Sequence, residues 1–242
     1  MAEINEVQLW NQTLAAAMKL PMVAVNRKEF LTKELSIFCS PEQVETAIAS
    51  KPSDVLTKEQ IGKIANGVIK YHLTVVTATS SLAGIPGGWF IAGTIPADLA
   101  QFYGHVLSMA QKLMYLYGFP DFQESNGKLS DEALQILTLA IGVMSGATAA
   151  ANAFKQVLNM LAENVVKQLP KQALTKSGIY VAAKAVAKWL GISLTKRSFA
   201  QGVGKFIPLV GAPISGALTY WTFRPMAYKL KRYLDSNYEL LK

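Results

Sequence analysis

The chain has 242 residues, 51% of them hydrophobic and 17% charged, with a mean hydropathy of +0.23. That length can bury one sizeable core, and the composition excludes a disordered chain and a short-period repeat array. One cysteine, Cys39, excludes an internal disulfide framework, and the net charge of +8 sits at the back: residues 155–242 carry 14 Lys/Arg against Glu163, Asp235 and Glu239.

Residues 3–19 predict a first helix, with Val7, Trp10, Leu14 and Met18 at helical spacing and Pro21 stopping it. Asn26 with Glu29 opens a short helix through Leu35. Ser40-Pro41-Glu42-Gln43 places a capping serine, a proline at the first helical position and a glutamine at the third, which starts a helix to about Ser50. Thr57 with Gln60 repeats the device for a longer helix toward Leu82. Cys39 precedes a helix start, a position expected to lower its pKa.

Gly84-Ile85-Pro86-Gly87-Gly88 then breaks the chain. Pro96-Ala97-Asp98 starts a helix to about Tyr117, closed by Gly118 with Pro120 beyond. Residues 121–129 predict a surface loop. Ser130 caps a helix expected to continue through Phe154 to about Gln168. A connection follows from Pro170, then a lysine-studded helix from Ile179 to Leu190 that Gly191 is expected to end. Gly202, Gly204, Pro208, Gly211 and Pro213 mark a second junction, and a last helix runs to about Leu241, with Pro225 starting or kinking it. Strand signals are nearly absent. The fold expected is all-α: a single helical bundle with Gly/Pro-broken apolar hairpins and an N-terminal helical arm over residues 1–25.

Three segments lack Asp, Glu, Lys and Arg: 71–97, 134–154 and 206–223. Each approaches the roughly 20 residues that a spanning helix needs. Glycine and proline interrupt the first and third, while polar and small residues dilute the second, where Gly142 and Gly146 form a GxxxG. A buried central helix is the preferred reading. A true span, and a compact bundle whose Gly/Pro hairpins dip into a bilayer surface, stay open.

No metal-ligand spacing, Walker A sequence or nucleophile elbow is present, so no cofactor, no metal and no catalytic residue is expected. Asp98, Phe102 and His105 share one helix face, with Lys112 further on. Asp98 and His105 are about 10 Å apart along the axis, too far for a direct acid–base pair. They line a pocket with Tyr103, or else His105 is a hydrogen-bonded core histidine. Folding back at 84–88 would bring His72 within reach of Asp98.

Glu3 and Glu6 precede the first apolar residues, where a secretory signal needs positive charge, so the cytoplasm is the expected compartment. The basic back, poor in arginine, suits anionic lipid better than nucleic acid, and no nucleic-acid partner is expected. Lys184, Lys188, Lys229, Lys231 and Arg232 are the candidate contacts with a membrane surface.

The Gly84–Gly88 break, the Ile95-Pro96-Ala97-Asp98-Leu99-Ala100 helix start, the Leu116-Tyr117-Gly118 end and Ile207-Pro208-Leu209-Val210-Gly211-Ala212 occur in one order. Together they resemble the EcsC family of bacterial proteins, over about residues 26–240. The resemblance implies a helical domain, residues 26–242, associated with an ABC transporter or secretion component at the membrane. It implies no catalytic residues. The matching positions, Gly84, Pro86, Gly87, Gly88, Pro96, Asp98, Tyr117, Gly118, Pro208 and Gly211, are adequately explained by folding. The expected function is non-enzymatic, at the inner membrane face; the alternative is a soluble bundle that binds, or acts on, a hydrophobic small molecule or lipid.

Overall fold

A computed structural model of the chain describes residues 5–83, 97–124, 127–163, 178–204 and 211–242. Over these residues it is all-α, with one isolated bridge between Gln123 and Leu129 the only extended pairing. The helices begin where side chains can satisfy free amides. Asn5 and Gln8 form a reciprocal capping box at α1 (Glu6–Ala17), and Asn26 accepts from the Glu29 N–H at α2 (Arg27–Leu35). Ser40 and Gln43 make the same box at α3 (Pro41–Ala49), as do Thr57 and Gln60 at α4 (Lys58–Ala83). Each cap supplies about 1 kcal/mol by pairing donors that the first turn leaves open.

The centre of the molecule is α5 (Ala97–Leu116), buried on nearly every side between α1, α2, α4 and the later helices. Apolar residues occupy most of its circumference and have to be enclosed, and His105, Ser108 and Gln111 are carried inside with them. It ends in a Schellman motif: Gly118 takes φ 90°, and the Phe119 N–H reaches back to the Met114 carbonyl at 3.1 Å. The following segment is less superficial than a surface loop. Phe122 is fully buried, stacked on Tyr115 at 5.3 Å between ring centres, and Phe119 stacks on Phe154 at 6.0 Å.

The single helix expected from Ser130 to about Gln168 is two: α6 (Asp131–Ser145) and α7 (Thr148–Glu163). Gly146 sits at φ 93°, and the Ala147 N–H bonds the Gly142 carbonyl at 2.9 Å, which closes α6 and reverses the chain. The hairpin explains the other glycine of the GxxxG. A β-carbon on Gly142 would lie 2.6 Å from both Ala150 Cβ and Val186 Cγ1, so this position lets α7 and the helix that carries Val186 close on α6. The motif thus serves close packing between helices of the chain.

Gly191 does not end its helix either. α8 runs from Gly178 to Gly204, and an added β-carbon at Gly191 would sit 2.0 Å from the Glu6 carbonyl oxygen. The glycine is there because α1 crosses at that point. Within the described part of the expected N-terminal arm, α1 packs into the core: Trp10 is fully buried, meets Tyr103 edge-on at 5.2 Å, and directs its indole N–H at the Thr138 hydroxyl, 3.4 Å away.

α9 (Gly211–Ser236) packs along α4 and passes through Pro225 without ending. Lacking an N–H, Pro225 cannot pair with the Trp221 carbonyl. A short α10 (Tyr238–Leu241) closes the chain, and Lys51 Nζ donates to the Leu241 carbonyl at 3.0 Å. The expected breaks at Gly84, Pro86, Gly87 and Gly88, with Pro96 and Pro208, lie outside the described residues.

Candidate functional site

The residues singled out in the sequence fall in separate places. His72, on α4, faces His105, on α5, with their Nδ1 atoms 3.3 Å apart, and both rings are buried. The other nitrogen of His72 lies 3.1 Å from Lys112 Nζ, which lies 5.5 Å from the Tyr71 ring centre and 6.0 Å from that of Phe30. An ammonium only donates, which fixes the tautomers in turn. Lys112 donates to His72 Nε2, His72 Nδ1–H donates to His105 Nδ1, and the His105 proton is on Nε2, a buried atom with no partner.

Burial, then the Lys112 charge and the neighbouring ring, push His72 down to about 3. Burial and Lys112 lower His105 as well, and burial lowers Lys112 itself. Two neutral rings in a line with one cation form a structural relay. His72 meets His105 rather than Asp98, which lies about 10 Å further along the axis of α5. The Asp98 side chain lies outside the described residues.

Tyr103 does not share a site with His105. Two residues on, a helix has turned by about 200°, so the two face opposite ways. Tyr103 lines a cleft of about 570 Å³ between α5, α6, α8 and α9. Met144, Leu190, Leu194 and Met226 give it apolar walls, with Trp189 on one side and Pro225 on the other. Lys229 and Arg232, one turn apart on α9, supply its only charges, and no carboxylate lines it.

Lys184 and Lys188 stand on the outward face of α8. Val181, Lys184, Lys188 and Ile192 follow at steps of three and four residues, flanked by Tyr180 and Trp189. Val181 is 67% exposed, Tyr180 47% and Trp189 39%, and α8 contains no acidic residue. On α9, Trp221 is 72% exposed.

Lys231 is set apart from the other candidate cations. Its ammonium pairs with Asp235 at 2.8 Å, half-buried toward α4, and the other oxygen of that carboxylate accepts from the Tyr117 hydroxyl. Tyr117 thereby ties the end of α5 to α9. A further ion pair, Lys63–Glu59, lies on the surface of α4.

Arg27 carried no signal in the sequence, and the structure gives it three backbone partners. It is buried and donates to the carbonyls of Phe119 at 3.0 Å, Ile48 at 2.8 Å and Ser50 at 3.4 Å, joining the ends of α3 and α5 to the start of α2. Cys39 differs from expectation in one respect: burial raises its thiol pKa, while Ser40 caps α3 as expected. Gly118 and Gly211 lie at helix ends, as backbone positions.

Among the described residues no three metal-ligating side chains cluster, and no helix is long and apolar enough to cross a membrane. The chain matches no family model, no curated protein and no solved structure.

Proposed function

We propose that the protein is a non-enzymatic helical bundle that works against an anionic membrane surface, with the outward face of α8 as its contact. The observation that carries this reading is the composition of that face: exposed tyrosine, tryptophan, valine and isoleucine alternate with Lys184 and Lys188, and no acid interrupts them. Aromatic rings with a polar edge favour the boundary between headgroups and acyl chains, and each lysine near an anionic surface adds about 1 kcal/mol. The resemblance to the EcsC family supports the same location, the cytoplasmic face of the inner membrane, and makes a transporter or secretion component the expected neighbour.

Co-sedimentation with anionic and neutral vesicles at two salt concentrations tests the reading. Binding to anionic vesicles that weakens with salt, and that Lys184→Glu with Lys188→Glu abolishes, is the expected result. Failure to bind either kind of vesicle at either salt concentration overturns it.

A second reading, a bundle that holds a hydrophobic small molecule, has one observation in its favour: the cleft under Tyr103. Its volume lies within the roughly 300–1,000 Å³ usual for small-molecule sites.

A further inference from the structure

We infer that the cleft between α5, α6, α8 and α9 is a binding site for a single-chain anionic amphiphile, such as a long-chain carboxylate. The inference deepens the small-molecule reading and rests on it. It adds the sign of the ligand's charge and the place of its head.

The argument begins with the polarity of α9. The residues it contributes run Thr222, Pro225, Met226, Lys229, Arg232, spanning about 15 Å of helix axis, with the uncharged residues first and both cations last. Lys229 and Arg232 are three residues apart, so they stand side by side on one face. The opposite walls offer Tyr103, Trp189 and Leu194, mainly apolar and uncharged, with the hydroxyls of Ser145 and Ser193 among them. The site is therefore an apolar slot with cations at one end.

The charges are not spent elsewhere. Neither Lys229 nor Arg232 forms an ion pair among the described residues, whereas Lys231 between them is held by Asp235. Lys229 Nζ lies close to Gly146, the left-handed cap of α6, where the negative end of that helix dipole favours a cation at the rim. Arg232 is exposed beside it. A guanidinium and an ammonium at one rim suit the two oxygens of a carboxylate, while a cationic head would be repelled. A neutral alcohol of the same length would fill the slot without engaging the rim.

Calorimetry on the full chain in detergent-free buffer, with dodecanoate, dodecanol and dodecyltrimethylammonium as separate monomeric probes, tests this. Saturable binding of one dodecanoate per chain is expected, with the other two at least about tenfold weaker. Lys229→Ala with Arg232→Ala, both at exposed positions, should weaken dodecanoate by about tenfold and leave dodecanol unchanged. Ser193→Trp, which fills the slot from α8, should abolish both, and a thermal melt of each variant verifies folding. If dodecanol binds as tightly as dodecanoate, the inference falls and the small-molecule reading stands. If neither binds, both fall.

Discussion

His72 and His105, 33 positions apart in the chain, meet nitrogen to nitrogen at 3.3 Å inside the bundle, and Lys112 decides which of them carries the shared proton. Because Lys112 occupies the far nitrogen of His72, the contact works only while both rings are neutral. Adding a proton to either brings two N–H groups face to face, beside a cation and away from water.

Stability should therefore depend on pH in a defined window. The folded His72 titrates near 3, well below the 6.5 of a free histidine, so between these values the unfolded chain binds the extra proton. The contribution is fully present above pH 6.5 and is lost as pH falls toward the folded value. Each pH unit in that window removes up to about 1.4 kcal/mol per histidine. Urea unfolding at pH 7, 6 and 5 should show this decline. His72→Gln should be less stable at pH 7 and flatter across the series; an unchanged slope would remove the relay.

Arg27→Met should cost about 3 kcal/mol or more. Three carbonyls lose a charged donor at once, and a buried acceptor left unmatched forfeits its hydration without return. Chemical denaturation measures the loss, and a midpoint unchanged from wild type would contradict the arrangement.

The glycines of the helix interiors should respond in opposite directions. Gly191→Ala drives a β-carbon into the Glu6 carbonyl and should loosen α1, seen as faster proteolysis near residues 5–17. Gly67→Ala, on an exposed part of α4 with no atom within 4 Å, should stabilise by roughly 0.5–1 kcal/mol through helix propensity alone.

Lys231→Ala should separate packing from surface contact. Its partly buried pair with Asp235 contributes about 1 kcal/mol, so a lower melting temperature is expected with vesicle binding intact. Loss of vesicle binding in a well-folded Lys231→Ala protein would place the membrane contact on α9 instead of α8.

Local chemistry made much of this fold legible. Asn26, Ser40, Thr57 and Ser130 each announce a helix because the cap and the amide it satisfies are within three residues of one another. Gly118 announces an end for the same reason. The signal failed where the deciding contact is distant. Gly146, expected inside a continuing helix, takes a left-handed turn where α7 folds back on Gly142, and Gly191, expected to end a helix, stays helical where α1 needs the space. Tyr103 and His105 look like neighbours, and a half-turn of helix parts them.

The helical class, the capped helix starts and the basic back are legible in the chain alone, since capping, periodicity and charge act over a few residues. Only the tertiary structure decided that Arg27 is a hub, that His72 chooses His105, and that Lys229 and Arg232 stand over an apolar cleft while Lys231 between them does not. Those outcomes depend on which faces of distant helices come to share one interior, and burial there sets both the hydrogen-bond partners and the cost of leaving any of them out.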